Sequence, residues 1–283
     1  WVYFKAGNES GQGEAVLTDA LAQRWPQWVA RPLAIDAQRN WMLSQDLHSQ
    51  HAGFDLQQLP AFAGEVAKLQ LESRNELPHW EALGCRTVSL DDFIAIAENP
   101  EPYRAIWQEG GGRLGPDEWK ALQAAFHSVA INCSALAEIG LPQTLVHIDF
   151  RDDNLALLDG RHFMLDWSST IISHPFLVLG RIFQDHRSTL AQRNTVGLMR
   201  IDEGLYQQVL QAYLEPFAGL ASAADLQRSL NAAESLDGLW RMLYLLHKVE
   251  TIEPATPHYY RQVVGLQQRA RRFINWMQQS PRG

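Results

Sequence analysis

Leu145-Val146-His147-Ile148-Asp149-Phe150-Arg151-Asp152-Asp153-Asn154, continuing as Leu155-Ala156-Leu157-Leu158 and then Phe163-Met164-Leu165-Asp166-Trp167, is the stretch on which the reading of this chain turns. Short apolar runs flank a polar, turn-rich segment, the pattern of strand, tight loop and strand. An Asp and an Asn in such a turn ordinarily do no more than bend and cap the chain. Here His147 stands two residues ahead of Asp149, and a further apolar run ends in Asp166. That combination is what phosphoryl transfer demands. One carboxylate accepts the proton of an attacking hydroxyl, while an amide oxygen and a second carboxylate hold Mg²⁺ against nucleotide phosphates.

The interval from Asp149 to Asn154 is that of the His-Arg-Asp-x-x-x-x-Asn loop of protein kinases. Ile148 replaces the arginine, however, and Asp166 is followed by Trp-Ser rather than Phe-Gly. The segment more closely resembles the His-Gly-Asp-x-His-x-x-Asn loop and Asp-Trp strand end of the aminoglycoside phosphotransferase and choline kinase family. That resemblance implies Asp149 as the catalytic base, Asn154 and Asp166 as Mg²⁺ ligands, and His147 as the residue that orients the loop. Arg151 stands where the family often has His, and its charge is open to a phosphate or to Asp152 or Asp153. The family usually carries an Asp that braces the loop, roughly where Val178 stands here.

Upstream, Trp1 to Ala6 is β-prone, Gly7 to Gly13 is glycine-rich, and Glu14 to Trp25 has helical spacing that ends at Pro26. Gly7, Gly11 and Gly13 fit neither phosphate-loop spacing and read as a connector. Alone, Lys5 and Glu14 would be a surface lysine and a first-turn glutamate favoured by the helix dipole. The resemblance extends to Phe4-Lys5-Ala6 and Gly13-Glu14-Ala15, and it implies that Lys5 contacts the nucleotide phosphates while Glu14 holds it. Pro32–Asp36 and Asn40–Ser44 read as strands joined by a polar turn. Gln45-Asp46-Leu47 resembles the hinge where the family's backbone binds adenine. His48 and His51 lack a further ligand cluster and do not read as a metal site.

Downstream the chain is mainly helical. Leu59–Leu71 is amphipathic, a helix starts at Leu90, and a long one starts at Pro116. In the last, Trp119, Leu122, Phe126, Val129, Cys133 and Leu136 share one face. Further helices are expected over 177–185, 202–217, 223–249 and 257–279.

At 283 residues the chain suffices for one large domain or two, and its net charge of -8 argues against a nucleic-acid surface. Cys85 and Cys133 fit no metal or redox spacing, which suits a reducing cytoplasm. No apolar run approaches a membrane span. The opening Trp1-Val2-Tyr3-Phe4 reads as the interior of a longer protein.

Together these readings predict an α+β chain with a two-lobed, protein-kinase-like fold. Residues 1–47 would form a truncated small nucleotide-binding lobe, lacking the strands and glycine-rich loop that precede the lysine strand in the family. Residues 48–283 would form a mainly helical large lobe. The implied activity moves the γ-phosphoryl of ATP or GTP, with Mg²⁺, to a hydroxyl of a small molecule such as an aminoglycoside, amino alcohol or sugar. Cationic acceptors would find carboxylates at Glu101, Glu109, Asp202, Glu203 and Glu250. A quaternary amine would want aromatic rings, offered by Trp107, Trp167, Trp240 and Tyr244. A different class of function, a kinase-like module that binds without turnover, is compatible with the missing loop and Val178. The intact set Lys5, Asp149, Asn154 and Asp166 opposes it.

Overall fold

The structure, a computed structural model, describes residues 2–7, 13–47, 54–101, 104–110, 112–191, 199–250, 252–254 and 256–279. Gly11, His48 and His51 lie outside the described residues. In chain order the elements are β1 (Val2–Ala6), α1 (Glu14–Arg24), β2 (Ala34–Asp36), β3 (Trp41–Gln45), α2 (Leu59–Ser73), α3 (Leu77–Ala82), β4 (Arg86–Thr87), α4 (Leu90–Glu98), α5 (Arg104–Trp107) and α6 (Pro116–Ile139). There follow β5 (Thr144–His147), β6 (Leu155–Leu158), β7 (Arg161–Met164), β8 (Thr170–Ser173), α7 (Gly180–Leu190), α8 (Glu203–Leu214), α9 (Ala223–Glu250) and α10 (Pro257–Gln279). Helices and small sheets are mixed, as the apolar spacings predict. The brief α3 and β4 carry too few residues for a periodic signal.

The chain divides into two units, Trp1–Val88 with Leu141–Leu226, and Ser89–Gly140 with Gln227–Gly283. In the first unit β1, β3 and β2 form an antiparallel sheet in that order, with Lys5 opposite Met42. A second sheet has the order β4-β8-β5, and β6 pairs with β7 as a hairpin. β5 pairs with β8 by register Leu145↔Ile172. A backbone amide of β5 is satisfied from α2 instead, since Leu145 N donates to Ser73 Oγ at 2.9 Å. Ser73 in turn donates to Gln70 O at 2.6 Å, so α2 anchors the strand that leads into the Asp149 loop. Helix α2 packs closely on α8. A Cβ on Gly64 would lie 3.3 Å from Ala212 O, so a larger residue would wedge the two apart. The Tyr213 hydroxyl of α8 lies 2.7 Å from Gln70 Oε1, in a core shared with Phe176 and Phe217.

His174 sits in that core, 2% exposed, with Nδ1 accepting from Phe176 N at 3.3 Å. Burial pushes its imidazole down from 6.5 to about 3. Because the folded value is depressed, the unfolded chain takes up this proton first as pH falls. The stability that depends on neutral His174 is therefore complete above 6.5 and drains away as pH falls from there towards about 3. His174→Asn keeps an acceptor for Phe176 N but removes the titration. Urea midpoints followed across this window should fall less steeply for the variant than for the parent. Equal slopes would show that His174 does not link protonation to folding.

In the second unit the expected apolar face of α6 is buried, and α6 packs against α4 and α10. Ser89 caps α4 in a capping box with Asp92, and Gly140 ends α6 with a φ of 73° that favours glycine. Arg271 of α10 reaches Glu118 at 2.6 Å, and Asn132 Nδ2 donates to Ser235 Oγ of α9 at 2.8 Å. Gly238 of α9 leaves room for the Phe273 ring, which a Cβ would meet at 2.4 Å. No helix among the described residues is long and apolar enough to cross a membrane.

Candidate active site

Every residue singled out from the Asp149 loop and the lysine strand lies in the first unit. The structure brings them together in two linked clusters. In the first, Lys5 Nζ donates to Glu14 Oε1 at 2.7 Å and to Asp166 Oδ1 at 2.8 Å. Strand alternation places Lys5 on the same face of β1 as Tyr3, while α1 opens with Glu14, which is 3% exposed. Ser168, not anticipated from the sequence, donates to Asp166 Oδ1 at 2.6 Å. Its only signal was adjacency to the Asp-Trp pair.

These contacts govern the charges. Burial works against the Lys5 ammonium, but hydrogen bonds to Asp166 and Glu14 outweigh it and raise its pKa. Burial dominates at Glu14 and pushes its carboxyl up despite the Lys5 bond. At Asp166 burial again opposes charge, yet bonds from Lys5 and Ser168 prevail and the carboxyl is lowered. Asp166 also has a φ of 59°, in the left-handed region that Asp tolerates better than most residues. Such backbone concentrates at functional sites.

The second cluster is the loop itself. After β5, a 3-10 turn over Asp152–Asn154 returns the chain to β6. Asn154 Nδ2 donates to Asp149 O at 2.8 Å and to Asp149 Oδ2 at 3.1 Å. Only the amide nitrogen suits that position, because the amide oxygen would confront a carboxylate; the oxygen is therefore directed elsewhere. Arg151 pairs with Asp153, and its Nε lies 3.9 Å from Asp152, so the neighbouring acids take its charge.

One residue joins the clusters. Leu165 N donates to Asn154 O at 2.9 Å, and the Leu165 carbonyl lies 2.9 Å from His147 Nε2. A carbonyl can only accept, so His147 carries its proton on Nε2. Burial lowers the His147 pKa, which favours the neutral imidazole. It stands edge-on to Trp167, whose indole donates to Met164 O at 3.1 Å. His147 thus clasps the residue before Asp166. Val178 is buried at 0% exposure and offers the loop no polar brace.

Asn154 and Asp166 present an amide oxygen and an ionised carboxylate that is 44% exposed. Hard oxygen donors in that small number suit Mg²⁺, which completes its shell with water and phosphate. Beside the site, Leu47 packs with Ala156 and Phe163, bordered by Ala30, Leu158 and Leu165. Of the aromatic residues considered for an acceptor, Trp107, Trp167 and Trp240 are buried, whereas Tyr244 is 40% exposed. Among the carboxylates, Asp202 caps α8, Glu203 lies 3.2 Å from His186, and Glu109 accepts from the Tyr259 hydroxyl at 2.5 Å.

No family model matches the sequence, and no curated protein matches it. Solved structures do. A choline/ethanolamine kinase family protein from Mesorhizobium loti aligns with 99% of this chain and 83% of its own, at a TM-score of 0.59 and 17% identity. A choline kinase from Streptococcus pneumoniae aligns with 97% of this chain and 86% of its own, at 0.56 and 13%. A macrolide 2'-phosphotransferase from Brachybacterium faecium aligns with 94% of this chain and 84% of its own, at 0.56 and 15%. At these identities the likeness shows a fold shared with these proteins.

Proposed function

We propose that this protein is a phosphotransferase that moves the γ-phosphoryl of ATP or GTP to a hydroxyl of a small molecule. The observation that carries this reading is Lys5 held between Glu14 and Asp166, joined through Leu165 to the Asp149–Asn154 loop. Residues 1–47 act as the small nucleotide-binding lobe and 48–283 as the large lobe. Lys5 binds the nucleotide phosphates and Glu14 fixes its direction. The apolar cluster around Leu47 and Phe163 receives the base, with hinge backbone at Gln45–Leu47.

Asp149 holds the acceptor hydroxyl and takes its proton as the oxygen bonds to the γ-phosphorus. The bond to the bridging oxygen breaks and the nucleoside diphosphate leaves. His147, hydrogen-bonded to the Leu165 carbonyl, positions the loop rather than relaying a proton. Asn154 and Asp166 hold Mg²⁺, which when bound neutralises charge on the phosphates. The buried thiols Cys85 and Cys133, pushed up to about 12 by burial, suit a reducing cytoplasm.

The test is a screen with MgATP and MgGTP against amino alcohols, sugars, aminoglycosides and macrolides, following nucleoside diphosphate release. Acceptor-dependent release that EDTA abolishes is expected. Val178 in place of a bracing acid favours the other reading, a binding module. Tight nucleotide binding with no turnover across the panel would establish that alternative, and absence of nucleotide binding would overturn both.

A further inference from the structure

Helix α1 begins without a cap of its own. Its N-cap, Gly13, has no side chain to offer, yet the first amides of a helix need acceptors. One acceptor comes from a distant turn. Asn40, between β2 and β3, places Oδ1 at 3.0 Å from Ala15 N, while its backbone carbonyl accepts from Gly7 N at 2.8 Å. Asn40 has a φ of 54°, a conformation that Asn and Gly adopt readily. The fit is close, because a Cβ on Gly7 would fall 2.0 Å from Asn40 Nδ2 and 2.6 Å from Cγ. One residue therefore ties Gly7, just past the end of β1, to the first turn of α1. Gly7 is two residues beyond Lys5, and Ala15 is one beyond Glu14.

We infer that Asn40 is a positioning residue for the Lys5–Glu14 pair, setting the separation of strand and helix at which the two side chains meet. It touches neither substrate nor metal. The functional consequence rests on the phosphotransferase reading, in which that pair binds nucleotide phosphates; the geometric claim does not.

Two variants attack the contact from opposite sides. Asn40→Gly keeps the left-handed backbone and the carbonyl acceptor but deletes the cap. Gly7→Ala leaves Asn40 intact and drives its side chain off Ala15. Asn40→Asp retains an acceptor oxygen and tolerates the same backbone, so it serves as the rescue. Lost caps of this kind shift equilibria by about three- to thirtyfold. Calorimetric titration of each variant with MgATP and, separately, with adenosine should show ATP affinity reduced about tenfold for Asn40→Gly and Gly7→Ala. Adenosine, lacking phosphates, should bind within about twofold of parent, and Asn40→Asp should restore ATP binding. Crystal structures of the two variants should show Lys5 and Glu14 out of hydrogen-bond contact. Should Asn40→Gly fail to fold, Gly7→Ala asks the same question.

A Lys5–Glu14 contact unchanged in the variant crystals would overturn the inference. So would an equal loss of ATP and adenosine binding, the mark of a purely structural turn. A parent that binds no nucleotide, combined with variants that separate Lys5 from Glu14, would overturn the phosphotransferase reading and uphold the positioning role.

Discussion

Asp149→Asn is expected to lower kcat by about two to four powers of ten while leaving MgATP affinity within a few fold of the parent. The substitution preserves size and one hydrogen-bond acceptor but removes the basicity. Asp149 faces the acceptor's proton in the proposed reaction, so its loss is felt in the transition state rather than in nucleotide binding. Asn154 also loses the carboxylate it now donates to at 3.1 Å, but it keeps the stronger bond to the Asp149 carbonyl at 2.8 Å. The loop is therefore expected to survive the change. Steady-state kinetics with whichever acceptor the screen yields, set beside calorimetric titration, checks both halves. Full activity in Asp149→Asn would show that the base lies elsewhere.

The second large effect is expected at Asp166. Asparagine at this position keeps the left-handed backbone and retains an acceptor for Lys5 and Ser168, but it forfeits the charge that makes a hard-cation ligand. Electrostatic stabilisation of a transferring phosphoryl group by a metal is worth several kcal/mol, so Asp166→Asn should cost about 10²–10⁴ in turnover. Nucleotide binding supplies the sharper readout. The parent should bind ATP more tightly with Mg²⁺ than with EDTA, and the variant should show no such difference. A variant that keeps the Mg²⁺ advantage would remove Asp166 from the metal site. Lys5 retains Glu14 at 2.7 Å in either case, so a loss confined to the Mg²⁺-dependent part separates the two roles.

Much of this arrangement was legible because its parts lie close in sequence or follow a period. His147, Asp149 and Asn154 fall within one loop, and the apolar runs around them announce β5, β6 and β7. The amphipathic spacing from Trp119 to Leu136 announces α6. Pairing across long separations was less accessible. Lys5 and Asp166 are 161 residues apart, and the family resemblance assigned each a role without pairing them. Asn40 was invisible as a positioning residue because it reads as the first residue of a strand, whereas it ends the turn before β3 with a left-handed φ of 54°. Its importance comes from the helix it caps, and Gly13 gives no local sign that a cap is needed. The aromatic residues considered for an acceptor show the converse. Composition offered Trp107 and Trp167, but large rings are the natural filling of a helical core, and both are buried.

The left-handed backbone at Asp166 has a consequence for how this position drifts in descent. In the proposed reaction two independent pressures act on it, one on the carboxylate and one on φ. In a lineage that abandons phosphoryl transfer the first relaxes and the second does not. Replacement would then be channelled to Asn or Gly, which hold a φ of 59° at little cost, and away from Val, Ile or Thr, which do not. Under that proposal, an Asn or Gly aligned with Asp166 in a relative marks chemistry lost with the strand end preserved. A β-branched residue there marks a loop that has taken another path.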